Sequence, residues 1–154
     1  MTHKKQKIAI GCDEAAFELK HILIEYLKGQ HKIEVEDFGC YDTSPVLYPD
    51  VAKEVAQRIS KGEFERGILL CGTGIGMCIV ANKVKGIRAA CCHDAFSAQR
   101  ARKSNDAQII TMGARVIGHE HAKVILDAWL QSNFVGGGSA PKVDLINEID
   151  AERW

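Results

Sequence analysis

Short apolar, β-branched runs alternate along this chain with longer stretches of helical period. This alternation is typical of a parallel β-sheet, because parallel strands need crossover helices to connect them. The apolar runs predict five strands, at residues 7–12, 33–38, 67–71, 87–92 and 107–112. The other stretches predict helices over 15–28, 50–61, 95–103, 120–130 and 141–149, and from a glycine-rich segment to residue 83. We therefore expect an α/β fold: a doubly wound, Rossmann-like five-stranded parallel sheet with helices on both faces and a C-terminal helix.

The length and net charge fit one domain with no affinity for polyanions. The 154 residues are the size of a single domain, so residues 1–154 are treated as one unit. Twenty Lys and Arg balance twenty Asp and Glu, which disfavours binding to nucleic acid. No apolar run approaches the roughly 20 residues of a membrane span, and the polar start lacks a signal-peptide core. We expect a cytoplasmic protein without a membrane or nucleic-acid partner.

The six cysteines predict neither disulfides nor a metal site. They lie largely in apolar segments of a chain with no predicted export signal, which favours reduced thiols. The sequence has no CxxC pair, and His119 and His121 are two positions apart, so they point to different sides of a helix. We therefore expect no bound metal.

Ligand-binding residues are expected beyond the carboxyl ends of the strands, which is where doubly wound sheets bind ligands. Polar and charged side chains follow several of the predicted strands. They are Asp13, Tyr48, the segment 71–76, Asp94 and Arg115.

The segment 71–76, with sequence CGTGIG, lies between a predicted strand and a predicted helix. Its glycines let the backbone approach a ligand closely, and free amides at a helix start bind anions. These glycines are Gly72, Gly74 and Gly76. A dinucleotide fingerprint or a Cys-x5-Arg phosphatase loop would need another residue where Met77 stands, and the GK[ST] of a Walker loop is absent.

The thiol of Cys71 faces the amides of this segment, which favour its thiolate form. Cys71 can then act as a base or as a nucleophile. The alternative is that Cys71 is a small core residue. That is our interpretation of Cys78, Cys91 and Cys92.

At this segment the chain resembles the ribose-5-phosphate isomerase B and galactose-6-phosphate isomerase family of sugar-phosphate isomerases. The resemblance covers nearly the whole chain, and its cysteine is more similar to the ribose-5-phosphate branch. The matching motifs are IAIGCD at 8–13, YPD at 48–50, GILLCGTGIG at 67–76, ANKVKGIRAA at 81–90, SND at 104–106 and MGARVIG at 112–118.

The resemblance implies isomerisation of an aldose phosphate and a ketose phosphate without a metal or organic cofactor. In this reading the Cys71 thiolate removes the C2 proton, while Thr73 and the amides of 72–76 hold the enediolate oxygen. Asp13 binds sugar hydroxyls and assists ring opening, although a helix-capping role is the alternative. Tyr48 covers the sugar, or else packs as an ordinary surface residue.

The resemblance also implies a homodimer or homotetramer whose active site is shared across the dimer interface. Asn105 and Arg115 match positions that contact the substrate, with Arg115 on the phosphate side. The alternative for Arg115 is a surface salt bridge. We expect the C-terminal turn and helix, residues 136–154, to lie at the dimer interface.

The chain departs from the usual family pattern at positions that would hold phosphate or open the sugar ring. The family usually has His after the first-strand aspartate, where this chain has Glu14, and His where this chain has Ser104. The family segment GGRHxxRV is GGGSAPKV at 136–143, so Arg, His and Arg are replaced by Gly138, Ser139 and Lys142. Lys142 keeps a charge for substrate binding but not the bidentate fork of arginine. Glu14 beside a phosphate would repel it.

Two groups of residues could compensate for these departures. His93 could replace the missing ring-opening histidine, or it could simply border the fourth strand. Arg100, Arg102 and Lys103, together with Lys142, could rebuild a phosphate site; the alternative for the basic run is a solvated helix face.

The sequence therefore favours an aldose–ketose isomerase acting on ribose 5-phosphate, a reaction of pentose phosphate metabolism. The substrate could instead be a hexose 6-phosphate, a tetrose phosphate or a free pentose. A sugar- or nucleotide-binding module without turnover is an alternative of another class. A thiol oxidoreductase is a further alternative, although no second cysteine lies within two residues of Cys71.

Overall fold

The computed structural model describes residues 6–153 as a central parallel sheet covered by helices on both faces. Residues 1–5, which carry most of the polar start, and Trp154 lie outside the described residues. The strands are β1 Lys7–Cys12, β2 Glu34–Asp37, β3 Arg66–Cys71, β4 Ala89–Cys91 and β5 Ile109–Gly113. The helices are α1 Phe17–Gln30, α2 Tyr48–Ser60, α3 Ile75–Asn82, α4 Ala95–Lys103, α5 His119–Leu130 and α6 Ala140–Ala151. The predicted fold class is confirmed.

The five strands are parallel and lie in the order β2-β1-β3-β5-β4. Successive residues of a strand point to opposite faces, which builds two separate cores. Ile68 and Leu70 of β3 pack toward α1, α4 and α5. Leu69 and Cys71 pack toward α2 and α3. This alternation places the thiol of Cys71 on the same face as the start of α3.

Two helix starts differ from the sequence prediction. Residues 14–16 form a single 3-10 turn before α1, with the Asp13 carboxylate accepting from the Ala15 amide at 3.1 Å. The helix predicted over 50–61 begins two residues earlier, at Tyr48, after an N-cap at Leu47 that has no side-chain hydrogen bond, so Asp50 is not its cap. Pro49 in the first turn explains the earlier start, since its fixed φ suits that position and its missing amide costs nothing there.

The fourth strand is shorter than the predicted 87–92, and side chains pair the backbone amides at its start. The amide of Arg88 donates to the Gln108 side chain at 2.8 Å, and that of Ala89 donates to the Asn82 side chain at 2.8 Å. Ala89–Cys91 pairs with residues 109–111 of β5.

Helix α6 packs against the amino edge of the sheet, beside the start of β4. Val143 is buried, while most of the helix is exposed. The Asn147 side chain accepts from Arg88 at 2.8 Å, and the Asp150 carboxylate accepts from the Gly86 amide at 2.6 Å. Among residues 6–153, no helix is both long and apolar enough to cross a membrane.

Candidate active site

The candidate site lies at the carboxyl ends of β1 and β3, neighbouring strands at the centre of the sheet. The chain leaves β1 toward β2 on one side and leaves β3 toward β5 and β4 on the other, so a crevice opens between them. The amide of Asp13 donates to the carbonyl of Leu70 at 3.2 Å. Asp13 is therefore beside the last residues of β3, as the sequence predicts.

The Cys71 side chain is almost fully buried and receives a hydrogen bond from its own loop. Its Sγ accepts from the amide of Gly74 at 3.0 Å. An amide hydrogen directed at sulfur stabilises negative charge on it, which favours a thiolate base. Thr73 is exposed in the same turn, and its hydroxyl oxygen accepts from the Ile75 amide at 3.3 Å.

The loop has its shape because glycine occupies two positions where a side chain does not fit. Gly74 has a φ of +75°, and a Cβ there would lie 2.8 Å from the backbone carbon of Met112. A Cβ on Gly76 would lie 2.5 Å from the ring of Tyr48. The aromatic ring therefore packs directly on the start of α3, which brings Tyr48 to the Cys71 loop.

Arg115 is hydrogen-bonded to this loop, and its charge acts on the carboxylates of Asp13 and Glu14 after β1. Its amide donates to the carbonyl of Gly72 at 3.0 Å. Burial, followed by the charge of Glu14, raises the pKa of Asp13; hydrogen bonds from the Ala16 and Ala15 amides, and then the positive charge of Arg115, partly oppose this. A carboxyl with a raised pKa takes up a proton more readily, which suits proton exchange with sugar hydroxyls.

Glu14 is bonded to the loop that leads into α2. Its Oε2 accepts from the amide of Val46 at 3.1 Å. Hydrogen bonds from its own amide and from that of Val46 lower the pKa of Glu14, and Arg115 adds to this effect. Glu14 thus remains negatively charged beside Arg115, which leaves less of the arginine's positive charge for a substrate phosphate.

Two of the predicted site residues are not near Cys71 within this chain. Asn105 lies in the loop between α4 and β5, at the amino edge of the sheet, and Lys142 lies in the first turn of α6, whose later residues bond Gly86 and Arg88 at that edge. Arg88 joins the two regions, because its guanidinium donates to the carbonyl of Asn105 at 3.1 Å and to Asn147 at 2.8 Å.

The basic run in α4 is not the uniformly solvated face that one interpretation predicts. Arg102 is buried, and its guanidinium donates to the carbonyl of Ala107 at 2.8 Å and pairs with Asp106 at 3.2 Å. Arg100 bonds the hydroxyl of Ser104 at 2.9 Å. Arg102 serves the loop before β5, so it is not available to rebuild a phosphate site.

The interpretation of the remaining cysteines is wrong for one of them. Cys92 is buried in the core and Cys78 is half-buried, but Cys91 on the edge strand β4 is exposed. Among residues 6–153, no three His, Cys, Asp or Glu side chains are grouped closely enough to hold a metal ion.

Sequence reasoning missed the contacts by which Thr111 and His93 support the loop. The Thr111 hydroxyl donates to the carbonyl of Gly74 at 2.7 Å. Its signal is a polar residue within an otherwise apolar strand. The ring nitrogen Nε2 of His93 accepts from the amide of Gly113 at 2.9 Å, a contact for which the sequence gives no signal.

Comparison with known proteins agrees with this geometry. Residues 8–146 match the family model described as Ribose/Galactose Isomerase. The chain is 58% identical over 144 residues to a protein of Listeria innocua named Ribose-5-P isomerase B, covering 94% of this chain and 97% of that one. It is 61% identical over 141 residues to the D-erythrulose-4-phosphate isomerase of Pectobacterium atrosepticum, covering 90% and 91%.

Solved structures have the same fold over almost the whole chain. The Clostridium thermocellum ribose-5-phosphate isomerase B superposes with a TM-score of 0.92 at 44% sequence identity, covering 96% of this chain and 99% of that one.

Proposed function

Because the chain belongs to the ribose/galactose isomerase family, we propose that it interconverts ribose 5-phosphate and ribulose 5-phosphate. The observation that carries this proposal is the Cys71 thiol, held under the Gly74 amide at the carboxyl edge of the sheet. A sulfur stabilised as thiolate is the base that an aldose–ketose isomerisation needs.

In the proposed reaction, the Cys71 thiolate removes the proton from C2 of the open-chain aldose. The electron pair of that C–H bond moves between C1 and C2, and the carbonyl oxygen takes a proton, giving an enediol(ate). Returning the sulfur-bound proton to C1 while the C2 hydroxyl loses its proton gives the ketose. Thr73 and the amides of 72–76 would hold the developing oxyanion, as preorganised donors do in other enzymes.

Asp13 and Tyr48 would act on the sugar, and Arg115 would bind its phosphate. The raised pKa of Asp13 supports proton exchange during ring opening. Tyr48 packs on Gly76, so its ring would form one wall of the sugar site. Gly72, Gly74 and Gly76 would let the backbone of the loop approach the sugar closely beside that wall.

The complete site would need a second copy of the chain. Asn105 and Lys142, on the amino side of the sheet, would then contact the substrate held by the partner's Cys71 loop. The apolar side chains that α3 leaves exposed support such an interface: Ile75 is 55% exposed and Ile79 54% exposed. We propose a homodimer, or a homotetramer built from two such dimers, in the cytoplasm.

The test is turnover of ribose 5-phosphate by the purified protein, followed by proton NMR in D2O. A C2 proton exchanged through an enediolate is partly replaced by deuterium, so the product reports the mechanism as well as the rate. Cys71→Ala should abolish turnover, while Cys78→Ala, the same change in α3 outside the loop, should not. Turnover retained in Cys71→Ala would overturn the proposed base; binding of sugar phosphate without turnover by the unaltered protein would indicate a binding module.

A second candidate substrate is D-erythrulose 4-phosphate, the ketose named for the Pectobacterium relative. The observation that favours it is the 61% identity with that relative over 141 residues, against 58% over 144 residues with the Listeria protein named Ribose-5-P isomerase B. Relative kcat/KM on four- and five-carbon substrates decides between them. The catalytic steps are the same for both.

A further inference from the structure

His93 lies where β4 has already ended, yet it takes part in the ladder between β4 and β5. The amide of Cys92 donates to the carbonyl of Thr111 at 3.0 Å, as a backbone ladder bond would. Two residues further along β5, the amide of Gly113 donates at 2.9 Å to Nε2 of His93. The imidazole therefore takes the position that a strand carbonyl would occupy if β4 continued.

The end of β5 that His93 holds is bonded on its other side to the Cys71 loop. The amide of Ala114 donates to the carbonyl of Cys71 at 2.9 Å, and that of Arg115 donates to the carbonyl of Gly72 at 3.0 Å. A shift of Gly113 would thus move the backbone of the loop and the arginine together.

We propose that His93 is a positioning residue for the isomerase reaction, acting as a neutral hydrogen-bond acceptor that fixes Gly113 and, through it, the Cys71 loop. This rests on the proposed function for its catalytic consequence, but its structural part does not. Because an amide donor faces Nε2, the active form of the ring carries its proton on Nδ1. Protonation of Nε2 would place two donors against each other and break the contact.

The surroundings of His93 keep the ring neutral. Burial lowers its pKa, the neighbouring Asp94 opposes this, and His121 from α5 adds to the lowering. Asp94 comes from the same segment as His93, and His121 comes from the helix packed beside it; these two are the titratable groups that act on the ring. The bond to Gly113 is therefore kept at neutral pH and lost in acid.

Two variants separate the acceptor role from other roles of the ring. His93→Gln places an amide oxygen near the position of Nε2, so it keeps an acceptor that does not titrate. His93→Leu removes the acceptor and leaves the Gly113 amide unpaired. His119→Gln, an exposed histidine at the start of α5, is the matched control.

We expect His93→Leu to lower kcat about tenfold to a hundredfold with KM changed less than about threefold, because misplaced donors cost transition-state binding. His93→Gln and His119→Gln should keep kcat within about threefold of the unaltered protein at neutral pH. The acid limb of kcat should become shallower in His93→Gln alone, since the glutamine side chain does not titrate and keeps its acceptor in acid.

Equal losses in His93→Gln and His93→Leu, or an unchanged acid limb in His93→Gln, would overturn the proposal. A loss in His93→Gln on ribose 5-phosphate but not on erythrose 4-phosphate would also overturn it. Erythrose 4-phosphate cannot close a furanose ring, so that result would make His93 the ring-opening group.

Amide hydrogen exchange tests the structural part without any substrate. Segments 71–76 and 111–115 should exchange faster in His93→Leu and as slowly as normal in His93→Gln. Unchanged exchange in His93→Leu would refute the positioning role even if the protein turned over no sugar phosphate. Absent turnover together with the expected exchange pattern would refute only the proposed reaction.

Discussion

Replacing Gly74 by alanine should destabilise the protein through two separable effects. Its φ of +75° is in the left-handed region, where an L-residue costs about 1–2 kcal/mol. The new Cβ would also lie 2.8 Å from the carbon and 3.0 Å from the nitrogen and oxygen of the Met112 backbone. Because Met112 is in a buried strand that cannot easily move, this overpacking adds about 1–3 kcal/mol. The expected loss in free energy of unfolding is about 2–5 kcal/mol.

The chain contains two glycines that separate these effects. Gly62 has a φ of +78° with no atom within 4 Å of an added Cβ, so Gly62→Ala should cost only about 1–2 kcal/mol. Gly29 lies near the end of α1 with open space around it, so Gly29→Ala should stabilise by up to about 1 kcal/mol. Urea unfolding of the three variants at one protein concentration gives the comparison, because association would shift the midpoints.

Equal losses in Gly74→Ala and Gly62→Ala would refute the steric part of this reasoning, since the two residues share a backbone conformation. Alanine keeps the backbone amide, but the clash with Met112 would displace it from the Cys71 sulfur, so folded Gly74→Ala should also have a lower kcat; a normal kcat would contradict the role of that amide.

Charged groups around the edges of the sheet give three further expectations. The Lys20 ammonium is fully buried and pairs with Asp37 at 2.8 Å. In urea unfolding, Asp37→Ala should lower the free energy of unfolding by about 3 kcal/mol, because it leaves a buried charge without a partner, and Lys20→Met should lower it less. The reverse order would contradict this reasoning. Asp127 raises the pKa of Tyr26 to about 12 through a 2.7 Å hydrogen bond. Asp127→Asn should therefore lower the pH midpoint of tyrosinate formation in an ultraviolet titration. An unchanged midpoint would rule out Asp127 as the cause. Glu14→Gln removes a negative charge beside Arg115, so it should lower KM for sugar phosphates severalfold but leave KM for neutral sugars unchanged. An increase in KM for sugar phosphates would show that Glu14 itself binds substrate.

Local patterns in the sequence are sufficient to predict the strands, helices and Cys71 loop, because each depends on residues close together in the chain. The alternation of apolar and helical stretches predicts all five strands, and the glycines of 71–76 predict a turn with free amides. The order β5 before β4 at the edge of the sheet could not be predicted, since it depends on packing between distant segments. The late start of β4 depends likewise on the side chains of Asn82 and Gln108, which accept from the amides of Ala89 and Arg88.

Site residues were predictable where the parallel sheet itself brings them together. Asp13, Cys71 and Arg115 all follow strands, so the rule for carboxyl ends is sufficient to place them at one crevice. The supporting contact of His93 with Gly113 could not be predicted, because it requires that β4 stop early and that β5 lie beside it.

The rule for carboxyl ends does not place Asn105 and Lys142 at the candidate site. In a parallel sheet every helix-to-strand loop lies at the amino edge, so Asn105 cannot reach the carboxyl edge of its own sheet without breaking the ladder of β5. The α6 helix is bonded to the same amino edge through Arg88 and Gly86, which prevents Lys142 from turning toward its own Cys71 loop without losing those bonds. A role for either residue in the proposed reaction therefore requires a second copy of the chain. Asn105→Ala and Cys71→Ala proteins, each with an impaired site, should then regain turnover when mixed under exchange, because hybrid dimers contain one site with both residues intact. Failure to regain activity in mixtures whose subunits demonstrably exchange would place Asn105 outside the catalytic site.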